Sequence, residues 1–117
     1  MGYTHYWNID STNAPTDEQW GRILRATAGI WINHANVLAR NYDKDAFRMT
    51  DQHILFNGIG NDAHETFVLD RTDKDFNFCK TAQKPYDAAV VAVLKAARRY
   101  APKWIKLSSD GEGVFDL

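Results

Sequence analysis

Apolar and polar positions alternate at the start of the chain. Aromatic residues stand at positions 3, 5 and 7, followed by Ile9, with hydroxyl- or amide-bearing residues between them. A period of two that is rich in aromatic residues is typical of a β-strand with one buried face. Four further segments are predicted as strands: residues 53–57, 65–71, 76–80 and 104–108.

Two other segments repeat apolar residues at the spacing of an α-helix. Thr16 and Gln19 form a capping box, and the apolar stripe that follows predicts a helix ending near Arg40 or Asn41. The second predicted helix covers residues 88–100, with Asp87 as its N-cap. Residues 46–49 are predicted to form a short turn.

This order of elements predicts an α+β fold in a single domain covering residues 1–117. We expect two helices packed on one face of a mainly antiparallel sheet of four to five strands. The architecture that fits best is a variant of the ferredoxin-like split βαβ arrangement with an extra strand.

The composition fits a protein with one core. Apolar residues make up 44% of the chain and aromatic residues 13%, which argues against disorder. The apolar runs are too short to cross a bilayer, and no charged-then-apolar leader opens the chain. Cys79 is the only cysteine, which excludes an internal disulfide and fits a reducing compartment. We predict a soluble cytoplasmic protein without a membrane partner.

Positive charge is concentrated near the end of the chain. Between residues 80 and 106 there are seven lysines and arginines against Asp87 alone. This is typical of a solvated helix face, and the alternative is a surface for an anionic partner. Because the net charge is −1 and the pI is near 6.4, nucleic acid is not an expected partner.

The loop ahead of the second predicted helix is a candidate anion site. Lys80, Thr81 and Lys84 lie where unpaired backbone N–H groups and the positive end of the helix dipole favour anions. Tyr86 adds a ring or a hydroxyl. The segment lacks the glycines of a P-loop. The alternative interpretation is an ordinary capped loop with two solvated lysines.

The loop around residues 57–65 is a second candidate. Two glycines beside Asn57 allow close backbone approach to a ligand, and His64 beside Glu65 suggests an acid–base pair. Adjacent strand residues point to opposite faces, however, which argues against joint action on one atom. The alternative is a hairpin loop held by local side-chain-to-backbone bonds.

The remaining polar residues predict neither a metal site nor a catalytic residue. No pair of histidines has metal-ligand spacing, and no cofactor is expected. His5 and His34 are interpreted as core histidines satisfied by a neighbour, with His5 kept as a binding candidate. Cys79 is interpreted as a small apolar filler. No Ser-His-Asp order or glycine-flanked serine is present.

Several short motifs occur together in the chain. Met-Gly-Tyr-Thr-His-Tyr-Trp opens it, His-Glu-Thr-Phe begins at residue 64, and Phe-Cys-Lys-Thr-Ala begins at residue 78. Lys-Pro-Tyr-Asp covers residues 84–87, and Ser-Asp-Gly covers residues 109–111. As a set, these motifs resemble a family of small uncharacterised phage and mobile-element proteins. The resemblance implies a protein of the host cytoplasm that acts on a host defence or regulatory system.

These observations predict a non-enzymatic binding protein that sequesters a phosphate-bearing nucleotide signal of host defence. Two alternatives stay open: a protein–protein inhibitor of a defence system that uses the basic second helix, and a small hydrolase that uses His64 and Asp87. Completion of the site by a second copy, in a homo-oligomer, is also open. The predicted ligand-binding residues are His5, Tyr6, Asn57, His64, Lys80, Thr81, Lys84 and Tyr86.

Overall fold

The computed structural model of the chain describes residues 3–39 and 46–116. Two α-helices and six strands follow one another in these ranges, with single 3-10 turns at Ser11–Asn13, Ala35–Val37 and Gly60–Asp62. The elements are β1 (Thr4–Ile9), α1 (Asp17–His34), β2 (Arg48–Met49), β3 (His53–Phe56), β4 (Phe67–Asp70), β5 (Asp75–Lys80), α2 (Asp87–Tyr100) and β6 (Ile105–Ser109).

The strands form two antiparallel sheets, with the orders β5-β1-β6 and β2-β3-β4. The α+β class is confirmed, but the predicted single sheet of four to five strands does not form. Arg71, which follows β4, bonds the start of α1 and the segment before β3. Its backbone N–H donates to Gln52, and its guanidinium donates to Pro15 and Asp17 at the start of α1.

The β5-β1-β6 sheet brings distant parts of the chain to one edge. Both outer strands run antiparallel to β1, so β5 and β6 are parallel to each other, and α2 lies in the connection between them. In this register Thr4 is opposite Lys80, and His5 is opposite both Cys79 and Ser109. The start of β1 therefore lies beside the ends of β5 and β6.

One hydrophobic core joins both sheets and both helices. Trp7 of β1 lies 5.5 Å from Phe67 of β4, measured between ring centres. Trp20 of α1 meets the buried Trp104 edge-on at 6.3 Å. Within the described ranges, no helix has both the length and the apolar character needed to cross a bilayer.

The first helix begins as predicted and ends earlier than predicted. The capping box of Thr16 and Gln19 is present. The helix stops at His34, and Leu38 is already extended and bridged to Gly58. Arg40 and Asn41, where the end was predicted, lie outside the described residues. Residues 48–49, predicted as part of a turn, form the short strand β2.

Candidate functional site

A buried polar network lies where α2 begins beside the inner face of the β5-β1-β6 sheet. His5 is fully buried, with Nε2 2.6 Å from the Asp87 carboxylate and Nδ1 2.8 Å from Ser109 Oγ. The Thr81 hydroxyl donates to the same oxygen of Asp87. Nε2 is the ring nitrogen that donates to Asp87, and Nδ1 is the one that bonds the Ser109 hydroxyl. His5 is thus a satisfied core histidine.

The network keeps Asp87 in its charged form. Burial acts to raise the pKa of this carboxyl group, but the hydrogen bonds from His5 and Thr81 and the charge interaction with His5 outweigh it. The pKa of Asp87 consequently lies below its ordinary value. A charged carboxylate is therefore present at the start of α2.

The assignment of Asp87 as the N-cap is wrong. Tyr86 occupies that position without a side-chain cap bond, and Asp87 is the first helical residue. Its carboxylate accepts from His5 of β1 and from Thr81, which follows β5, and does not cap the helix. A negative charge there interacts favourably with the helix dipole, and it opposes the approach of a second anion to the same helix end.

The turn between β5 and α2 is conformationally strained. Ala82 and Gln83 both have positive φ angles, 53° and 55°, and Lys84 N–H donates to Thr81 C=O across the turn. Left-handed conformations cost non-glycine residues about 1–2 kcal/mol each. The N–H groups of Thr81 and Ala82 both donate to Tyr3 C=O, which helps to hold the turn. Such strain persists where the surrounding structure over-determines it, often at functional sites.

The segment after β6 completes this edge. Asp110 accepts from Thr4 N–H at 3.0 Å and from the Tyr6 hydroxyl at 2.9 Å. Ser109 Oγ accepts from Gly111 N–H at 3.0 Å. A side chain at Gly111 would collide with the Tyr3 hydroxyl, so glycine is required there. A cavity of about 340 Å³ adjoins Ser109 and is lined by residues 107–109 and 111–116.

The 57–65 loop is braced internally and attached to the same edge. Asn57 is buried, and its side chain bonds the backbone N–H groups of Gly58 and His64 as well as His64 C=O. Glu65 accepts from Lys80 N–H through its carboxylate and from the buried Tyr86 hydroxyl through its C=O. The local bonds of Asn57 agree with the hairpin-loop interpretation.

Burial divides the predicted ligand-binding residues into two groups. Lys80 and His64 are exposed, while Tyr6 and Lys84 are partly exposed. The buried group has little surface for a ligand, and its hydrogen bonds go to other parts of the chain. It comprises His5, Asn57, Thr81 and Tyr86.

An exposed row of aromatic rings covers the outer face of the β5-β1-β6 sheet. We call Tyr6, Phe76 and Phe78 the aromatic face. Phe76 and Phe78 are 55% and 47% exposed, and their ring centres lie 6.0 Å apart. Tyr6 stacks on Phe76 at 5.8 Å. Lys80 Nζ lies 5.9 Å from the centre of the Phe78 ring.

The residues of this face that sequence reasoning did not select are Phe76 and Phe78. The signal for them was present in the strand prediction, because residues 76, 78 and 80 share one face of a strand. Ser109 was missed as well. Its partner His5 lies 104 positions away along the chain, and only the register of β1 with β6 brings them together.

Cys79 does not present a reactive thiol at this edge. Cys79 is buried opposite His5, and burial raises the pKa of its thiol to about 12. The interpretation of Cys79 as a core filler is confirmed. Among residues 3–39 and 46–116, no three or more His, Cys, Asp or Glu side chains are grouped to hold a metal ion.

Comparisons with protein-family models, with curated proteins and with solved structures found no match to this chain. The resemblance to phage proteins stays a prediction.

Proposed function

We propose that the chain is a binding protein for a nucleotide-like ligand, which stacks its base on the aromatic face and directs its phosphate toward Lys80. The observation that carries this proposal is the exposure of Phe76 and Phe78 beside that lysine. Exposed apolar patches of this kind mark interaction sites. Stacking on an aromatic side chain stabilises binding by about 1–3 kcal/mol per base.

The aromatic face is held in place before any ligand arrives. Tyr6 is fixed through its hydroxyl by Asp110, and this hydrogen bond is the main cause that raises the pKa of Tyr6. The end of β5 is fixed by Glu65, which bonds both backbone groups of Lys80. Since fewer side chains need to be ordered on binding, the cost in conformational entropy is small.

In this proposal the buried network supports the site and does not contact the ligand. The His5–Asp87–Thr81 bonds fix the strained turn between Lys80 and Lys84, so the two lysines flank a rigid loop. The ligand's phosphate then binds the lysine ammonium groups, while the Asp87 carboxylate occupies the start of α2. In the phage context implied by the sequence resemblance, such a protein would sequester a nucleotide signal of the host.

Isothermal titration calorimetry with AMP, ADP and ATP tests the proposal. We expect Phe78→Ala and Lys80→Gln each to weaken binding about tenfold, the size of one lost stack or phosphate contact. Trp31→Ala on α1 is a matched control, because Trp31 is 40% exposed and lies outside the face. Absence of binding by the unmodified chain at millimolar nucleotide would rule out the proposal.

A second candidate function, hydrolysis, is favoured by the contacts of Ser109, His5 and Asp87. They place a hydroxyl, an imidazole and a carboxylate in the order used for nucleophilic catalysis. The hydrogen bonds connect Asp87 to His5, whereas sequence reasoning paired it with His64. In an ester hydrolysis, Ser109 Oγ would attack the carbonyl carbon and pass its proton to His5 Nδ1, which would return it to the departing alkoxide. Water would then release the acyl group.

A fluorophosphonate probe distinguishes hydrolysis from binding alone. The reaction joins Ser109 Oγ to phosphorus, releases fluoride and transfers the hydroxyl proton to His5. Mass spectrometry should find the adduct on Ser109. The adduct should be absent from Ser109→Ala and present in Ser108→Ala. An unlabelled chain would exclude this candidate and leave the network as a support for the turn.

A further inference from the structure

We infer that the ligand carries two nucleobases joined through phosphate, as in a short dinucleotide. This inference rests on the proposed function and narrows its ligand class. It follows from the number of exposed rings on the face and from the positions of the two lysines that border it.

The aromatic face offers more stacking surface than one base covers. Phe76 and Phe78 lie two positions apart on β5, point to the same side and are each about half exposed. The planes of the two rings are tilted by 33° to each other, so one flat base does not lie parallel to both. Two linked bases cover both rings, and sheet surfaces with exposed aromatic residues stack two or three bases in this manner.

Positive charge stands at two opposite corners of the face. Lys80 is opposite Thr4, and Lys106 is opposite Asn8 on the other side of β1. From standard strand rise and spacing, the Cα atoms of the two lysines are about 16 Å apart. They border the face at opposite corners, so they fit a ligand with phosphate groups at separate points.

The charge around the face favours a short ligand over a polymer. Two lysines border it, and the chain has a net charge of −1. Long nucleic acids gain their affinity from many phosphate contacts that release counterions. Asp110, at a third corner, already accepts hydrogen bonds from Thr4 and Tyr6.

Titrations of the full chain at one salt concentration test this inference. The ligands are AMP, pApA and the decamer r(A)10, with GMP and pGpG as a second base set. We expect the dinucleotide to bind about fivefold to a hundredfold more tightly than its mononucleotide, the gain from one further stack. Lys106→Gln should weaken dinucleotide binding and leave mononucleotide binding unchanged. Ser108→Ala, on the same face, is the matched control.

Each of the other possible titration results contradicts one specific claim about the ligand or the face. Equal affinity for mononucleotide and dinucleotide overturns the two-base ligand and leaves the proposed function standing, whereas no binding of either removes both. A decamer that binds more than tenfold more tightly than pApA replaces the short ligand with a single-stranded polymer. If the chain sediments as a dimer that Phe78→Ala dissociates, the face is an interface between copies and the inference fails.

Discussion

His5 Nε2 lies 2.6 Å from the Asp87 carboxylate, and this contact joins the first strand to the start of the second helix. Removing the two ring nitrogens deprives Asp87 and Ser109 of one hydrogen-bond partner each. We expect His5→Phe to lower the free energy of unfolding by about 1–3 kcal/mol, the cost of losing the partner of partly buried polar groups. Urea denaturation measures it. The exposed His64→Phe should change stability by less than about 0.5 kcal/mol, and equal effects would contradict the account.

Asp87 makes the free energy of unfolding depend on pH in the acidic range. Because its pKa is lower in the folded than in the unfolded state, its contribution is fully present at neutral pH and is lost as pH falls below about 4. The stability difference between the unmodified chain and Asp87→Asn should therefore shrink from pH 7 to pH 3. Denaturation at both pH values checks this, with the exposed Asp62→Asn as control. A difference that grows on acidification would show the opposite sign of the pKa shift.

The strained turn predicts stabilising substitutions. Asn and Gly tolerate positive φ angles, so Ala82→Asn combined with Gln83→Gly should raise the free energy of unfolding by about 1 kcal/mol. Both changes lie on exposed positions and leave the backbone bonds to Tyr3 in place. Thermal and urea unfolding measure the gain. A loss of stability would mean that the two residues are not strained.

Cys79 should be inert in the native protein. Its thiol is buried and its pKa is raised to about 12, so little thiolate is present at pH 8. We expect alkylation by iodoacetamide to proceed at the rate of unfolding, and to become fast in concentrated urea. Rapid modification under native conditions would contradict the burial of this side chain.

The local parts of the fold were predictable because their signals are local. The alternation from Tyr3 to Ile9 and the capping box at Thr16 each depend on neighbouring residues, and both predictions are confirmed. The division into two sheets was not predictable. It involves pairings and contacts between distant segments, such as those of Arg71 with Pro15 and Asp17, which are more than 50 positions away.

The candidate site was predicted in part for the same reason. Sequence reasoning selected Tyr6, which belongs to the aromatic face, and Lys80, which borders it, but assigned Asp87 to the helix cap. The assignment fails because His5, 82 positions away, competes for the same carboxylate. The sequence pattern predicts Phe76 and Phe78 as strand residues, but the pattern of a single strand does not say which of its faces stays open to solvent.

Chemical-shift mapping locates the ligand on the protein without any substitution. In titrations of the isotopically labelled chain with AMP and pApA, we expect the largest shifts at the ring and backbone signals of Phe76, Phe78 and Lys80. The start of α2 should move less. Shifts concentrated at residues 86–89, or at Ser109 and the cavity beside it, would contradict binding on the aromatic face.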